Sequence, residues 1–123
     1  MSGLVNYQML INGQWVDAAD GGCFESINPS TGKAWASVPE ATADDVDTAV
    51  KAADRAMYEG PWARMTPTER GKCLRTLADL LADKSEDLGR IETRDTGKIF
   101  TETRWQAKYI AEFFHFYAGA ADK

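Results

Sequence analysis

The sequence predicts an α+β chain, two short N-terminal β-hairpins followed by about four α-helices. Three observations predict it. An Asn12-Gly13 pair stands between two short apolar runs, and helix-start signals occur at Thr42 and Thr66. From Thr42 onward the hydrophobic period changes from two to about 3.6. The 123 residues are 44% hydrophobic, 11% aromatic and 27% charged, a globular mixture that sets aside disorder and fibrous or repeat architectures. At about 150 residues per domain this is at most one domain, expected to bury about two-thirds of its unfolded surface in a single core.

The first hairpin pairs Gln8–Ile11 with Gln14–Val16 across Asn12-Gly13. A type I′ turn needs positive φ at both central residues, and Asn-Gly supplies it. The second pairs Phe24–Ile27 with Ala34–Val38, and Asn28-Pro29-Ser30-Thr31-Gly32 between them has Pro and Gly at turn-like offsets. Residues 1–40 therefore read as hairpins and 41–123 as helices. Thr42 caps the first helix, with Asp44 and Asp45 against the positive end of its dipole. Val46, Ala49, Val50, Ala53, Ala56 and Met57 form its apolar stripe, and Gly60-Pro61 ends it. Thr66-Pro67-Thr68-Glu69 is a capping box with Pro at the first helical position. The helix it starts is expected to bury Leu74, Leu77, Ala78 and Leu81. A shorter helix restarts at Ser85 and runs to about Asp95, stopped by a left-handed Gly97. The last runs from about Thr101 to Tyr117.

Fourteen basic and 19 acidic side chains give a net charge of −5. That balance argues against a phosphate-binding surface and so against nucleic acid as partner. Uncharged stretches are too short to span a bilayer, and the first residues lack a secretory pattern. Cys23 and Cys73 show no metal or redox spacing. The expectation is a cytoplasmic protein with reduced thiols.

Chemistry is sparse. On the last helix Trp105, Tyr109, Ile110, Phe113, Phe114, Phe116 and Tyr117 spread over about half the circumference. Such a helix is a central core element, or belongs to a longer protein whose remainder covers it, or presents a partner surface. Leu88, Ile91 and Asp95 share a helical face. The Asp95 carboxylate is then either buried with a hydrogen-bond or cation partner, or reaches water where the helix frays. Cys73 reads as a core thiol. Cys23 could be exposed, but nothing places it beside His115, the only imidazole. Thr96-Gly97-Lys98 lacks the spacing of a phosphate loop and reads as a helix end. No catalytic constellation is complete.

Together these residues resemble the opening of the NAD(P)-dependent aldehyde dehydrogenases. The resemblance rests on Leu10–Val16, on Ile27-Asn28-Pro29-Ser30-Thr31-Gly32, and on Asp45-Val46-Asp47 with Ala49-Val50. It continues through Gly60-Pro61-Trp62, Glu69-Arg70-Gly71, Leu77–Leu80, Glu92–Lys98 and Phe116-Tyr117-Ala118-Gly119, in order along essentially the whole chain.

The resemblance implies an α/β parent with a Rossmann-like cofactor domain, of which 1–123 is the N-terminal part. The catalytic and oligomerisation regions are expected to lie outside this chain. In the parent a cysteine thiolate attacks the aldehyde, hydride passes from the thiohemiacetal to NAD or NADP, and a glutamate-activated water releases the acid. Neither Cys23 nor Cys73 matches that cysteine, so no catalytic or cofactor-binding residue is carried over. Two lesser roles are: Ile27 and Asp95 match positions that hold a structural monovalent cation, and Trp105 and Tyr109 match positions lining the substrate tunnel. Their i, i+4 spacing serves tunnel lining and core packing equally. A small-molecule aldehyde and a homodimeric or homotetrameric parent are also implied. The alternative is a self-contained binding or assembly module using the Trp105–Tyr117 face.

Overall fold

The structure, a computed structural model, describes residues 3–123. Its contacts divide into two compact units, Met1–Ala63 and Arg64–Lys123.

The first unit contains five strands and a helix. β2 (Met9–Ile11) and β3 (Gln14–Val16) form their own antiparallel two-stranded sheet with Leu10 opposite Trp15. Asn12 and Gly13 between them have φ of 52° and 75°, as the expected type I′ turn requires. β4 (Cys23–Asn28) and β5 (Lys33–Pro39) make the second hairpin. Its loop is held where Gly32 N–H donates to the Asn28 carbonyl at 2.8 Å and Ser30 N–H to Asn28 Oδ1 at 2.9 Å.

Two features here escaped sequence reasoning. A two-residue strand, β1 (Val5–Asn6), pairs parallel with β5, giving the order β1-β5-β4. The β4–β5 register also slips beside Ile27, so that Trp35 is the extra residue on β5. This is a bulge, which twists a strand and re-aims a side chain. The Trp35 indole N–H donates to Ser26 Oγ at 3.0 Å, and its ring meets Tyr7 edge-on at 6.0 Å.

α1 (Ala43–Tyr58) begins in a capping box. Thr42 Oγ1 accepts from Asp45 N–H, and Asp45 Oδ2 accepts from Thr42 N–H at 2.9 Å. The same Oδ2 accepts Ala19 N–H at 3.1 Å, fastening the loop before β4 to the helix start. These backbone donors, Thr42 first and then Ala19, hold the Asp45 carboxyl below its ordinary value. The apolar stripe of α1 is not buried: Val50 is 61% exposed, and Ala52 is the buried residue of the helix.

The second unit is helical. α2 (Pro61–Arg64), a four-residue helix additional to the expected four, straddles the division between the units. α3 (Pro67–Asp83) starts in the capping box read from the sequence, Thr66 Oγ1 accepting Glu69 N–H and Glu69 Oε2 accepting Thr66 N–H at 2.7 Å. α4 (Ser85–Thr96) follows after Lys84 alone, which serves both helices: its N–H donates to the Leu80 carbonyl and its carbonyl accepts Leu88 N–H. Gly97 ends α4 at φ 77°, as expected. α5 (Phe100–Ala120) packs against both α3 and α4.

What is buried corrects the expectation of an ordinary core. Among the described residues the buried hydrophobics are all alanines, accompanied by Thr103 and by glycines 71 and 89. In α3, Ala78 is buried and Leu74 and Leu81 are half-buried, but Leu77 and Cys73 are exposed. The stripes were read correctly as apolar; they lack covering mass. Small residues instead permit close helix approach. A Cβ on Gly71 would lie 2.7 Å from the Ala118 carbonyl oxygen, and one on Gly89 would lie 2.7 Å from both Arg104 N and Cα.

Two outcomes follow. Gly89→Ala drives a methyl into backbone and is expected to destabilise the helical unit by about 1–3 kcal/mol despite alanine's higher helix propensity. Gly119→Ala, where a Cβ meets nothing within 4 Å, is expected to be neutral or to stabilise by up to about 1 kcal/mol. Thermal unfolding of the two variants measures the contrast. Because the folded Asp45 carboxyl lies below its ordinary 3.8, its contribution is present above that value and lost as pH falls through the lower folded value. Asp45→Asn is therefore expected to lower the melting temperature at neutral pH and to converge with the unaltered chain in acid.

Candidate functional site

α5 has two faces of opposite character. Thr103, Ala107, Ala111 and Ala118 are its buried residues and fall within an arc of about 80°. The aromatic residues Trp105, Tyr109, Phe113, Phe116 and Tyr117 occupy the other side, and Phe116 is 70% exposed. Small residues turn inward because α3 and α4 approach closely there, with Phe100 and Phe114 half-buried on the same arc, and the other rings point outward.

Those rings are ordered among themselves. Trp105 and Tyr109, the pair the family resemblance singled out, stack at 4.8 Å with planes 10° apart. Tyr109 meets Phe113 edge-on at 5.4 Å, and Phe116 meets Tyr117 likewise at 5.3 Å. Offset stacks and edge contacts suit the quadrupoles of the rings. Tyr109, Phe113, Phe116 and Tyr117, with Glu112, border an open cavity of about 340 Å³. Its walls are predominantly aromatic, so it favours an apolar or π-binding surface and offers one carboxylate for polarity.

Thr103 is the buried polar node behind this face. Its hydroxyl donates to the Gly89 carbonyl at 2.9 Å and lies 2.8 Å from Thr93 Oγ1, tying α5 to α4. Sequence reasoning missed it. The available signal was its alignment with Ala107 and Ala111, four and eight residues on.

Charges frame the α4–α5 corner. The Arg90 guanidinium lies 4.6 Å from the centre of the Phe100 ring and hydrogen-bonds Glu86 at 2.7 Å. That hydrogen bond, then the charge of Arg90, holds the Glu86 carboxyl below its ordinary value. Lys98 donates to Glu92 at 2.7 Å, which raises the ammonium pKa. A second cavity, of about 490 Å³, is lined by Asp83, Ser85, Glu86, Arg104, Trp105 and Lys108. Its acids and bases are mixed, giving no single-sign field for a charged ligand. His115 Nε2 lies 3.5 Å from Asp79 Oδ1 on the surface of α3.

The remaining expected residues fall as follows. Asp95 is exposed on the last turn of α4, which runs on to Thr96 without fraying before it. Ile27 lies in β4 at the register slip, 48% exposed. Cys23 and Cys73 are both free and exposed, so Cys73 is not the core thiol expected from its place beside an apolar stripe. Among the described residues no group of three or more His, Cys, Asp or Glu could hold a metal ion. No helix among them is long and apolar enough to cross a membrane.

A dinucleotide cradle needs a glycine-rich turn from a strand into a helix N-terminus. Thr96-Gly97-Lys98 instead ends α4.

Comparison with known proteins supplies the context. A sequence profile described as the aldehyde dehydrogenase family matches residues 15–123. The chain is 48% identical over 117 residues to (Z)-2-((N-methylformamido)methylene)-5-hydroxybutyrolactone dehydrogenase of Acinetobacter baylyi, covering 95% of this chain and 24% of that protein. It is 44% identical to the mitochondrial aldehyde dehydrogenase family 2 member B4 of Arabidopsis thaliana, covering 94% of this chain and 22% of that one. Among solved structures, NAD-dependent aldehyde dehydrogenase from Sinorhizobium meliloti superposes with a TM-score of 0.92 at 38% identity, over 97% of this chain and 24% of its own. Betaine aldehyde dehydrogenase from Staphylococcus aureus in complex with NAD+ gives 0.91 at 36%, with the same coverage. This chain thus spans about a quarter of the length of the relatives it matches. With a match over residues 15–123 and the same architecture in solved members, the chain belongs to the aldehyde dehydrogenase family.

Proposed function

We propose that these residues are the N-terminal part of the cofactor-binding domain of an enzyme that oxidises an aldehyde to a carboxylic acid with NAD or NADP. One observation carries the reading beyond family membership. Every large apolar side chain of α5 outside the packed arc is at the surface, while the buried positions are alanine and threonine. A face of that size on a self-sufficient domain would be an association surface. In a protein about four times as long it is an inner wall.

In this reading the stacked Trp105–Tyr109 pair lines the approach of a small-molecule aldehyde, presenting ring faces to its carbon skeleton. The nucleophile, the base and the dinucleotide contacts come from other parts of the enzyme. Ile27 would offer a main-chain carbonyl and Asp95 a carboxylate to a monovalent cation, both hard oxygen donors of the kind such ions take. The same reading carries a homodimeric or homotetrameric enzyme in the cytoplasm.

The chain purified as it stands is expected to reduce no NAD or NADP with aliphatic, aromatic or betaine aldehydes, followed by nicotinamide absorbance. Turnover above a blank would refute the assignment of the chemistry to other segments. Light scattering on the same sample bears on the alternative, since a defined dimer with a cooperative melt would favour a self-contained assembly module. In the whole enzyme, potassium or sodium is expected to raise the melting temperature, and Asp95→Ala to remove that rise. An unchanged melting temperature in both comparisons would dismiss the cation site.

A further inference from the structure

The turn between β2 and β3 carries a chemistry of its own. Three asparagines occur in the chain, at positions 6, 12 and 28, and the structure sets each differently against attack by the following main-chain nitrogen. Asn28 precedes Pro29, whose nitrogen has no hydrogen to lose, and Asn28 Oδ1 accepts Ser30 N–H at 2.9 Å. Asn6 lies in β1, and the nitrogen after it is held by a 2.9 Å hydrogen bond from Tyr7 N–H to the Ser37 carbonyl. Asn12 is followed by Gly13, which has no side chain to crowd the attacking nitrogen, and both residues are exposed.

We propose that Asn12 is a site of spontaneous deamidation in the folded protein. The Gly13 main-chain nitrogen loses its proton and attacks Asn12 Cγ. A C–N bond forms, the bond to the side-chain nitrogen breaks, and ammonia leaves. The product is a five-membered succinimide, which water opens at either carbonyl to aspartate or isoaspartate. No oxidant, cofactor or enzyme is consumed.

The turn must open before the step can occur. With φ of 52°, Asn12 must leave the left-handed turn before its side-chain carbon meets the nitrogen of Gly13. That exit opens the hairpin. β2 and β3 contribute three residues each and form a sheet by themselves, and two-stranded hairpins of this kind are marginal in water. Local opening of such an element costs little, so folding gives Asn12 slight protection. The consequence is directional. Each conversion adds a carboxylate, and the isoaspartate form inserts a methylene into a two-residue turn. The Ile11–Gln14 and Leu10–Trp15 pairings then lose the geometry that set their register.

The test is incubation of the intact chain at neutral and mildly alkaline pH. Peptide mapping by mass spectrometry and isoaspartate methyltransferase labelling provide the readout. Conversion is expected at Asn12 and at neither Asn6 nor Asn28, faster at higher pH, with a rate within about ten-fold of that of the same chain in concentrated urea. Asn12→Gln, which must close a larger ring, is expected to remove the isoaspartate signal. A native rate slower than urea by more than that margin, a pH-independent rate, or equal conversion at Asn6 would each overturn the proposal. The urea comparison uses the unaltered sequence, so it stands even if the variant fails to fold.

Discussion

Close approach of backbone at two glycines is the constraint on which the helical unit depends. Gly71 sits against the Ala118 carbonyl and Gly89 against the main chain of Arg104, leaving no room for a side chain at either crossing. At the crossings α5 offers small residues, Thr103, Ala107, Ala111 and Ala118, on the contacting arc, which also carries the half-buried Phe100 and Phe114. Interior packing of this density does not yield to an added methylene. Once the small residues are committed inward, the remaining positions of α5 must carry its hydrophobic mass. The aromatic row from Trp105 to Tyr117 follows from the inner face.

That arrangement also separates the two jobs of the segment. The inner face is held by van der Waals contact and by the Thr103 hydroxyl, bonded to the Gly89 carbonyl. The outer face is an ordered aromatic surface with a stacked pair at its N-terminal end. On the reading proposed above, such a face would serve by its shape and by excluding water.

Legibility in the sequence followed the range of the interaction. Asn12-Gly13, the helix caps at Thr42 and Thr66 and Gly97 are local, with signal and consequence within four residues, and each stands where its residues indicated. β1 was invisible because two residues carry no period, and its partner β5 is about thirty positions away. The bulge at Trp35 depends on cross-strand register and left no mark in the alternation. For α1 and α3 the apolar stripes were real, yet Val50 and Leu77 are exposed. Periodicity reports which face requires cover and says nothing about whether the cover is present. The Trp105–Tyr109 stack was legible for the local reason, whereas Thr103 required knowledge of which arc of α5 meets α4.

Lys84 has a mechanical meaning. It is the single residue between α3 and α4, donating its N–H back to Leu80 and accepting from Leu88, so the helices share one joint with a single pair of soft dihedrals. Such a joint has no slack. The short joint fixes the angle between α3 and α4 through the dihedrals of one residue, and α3 also crosses α5 at Gly71. The aromatic row thus rides on a helix braced at two crossings, against α3 at Gly71 and against α4 at Gly89.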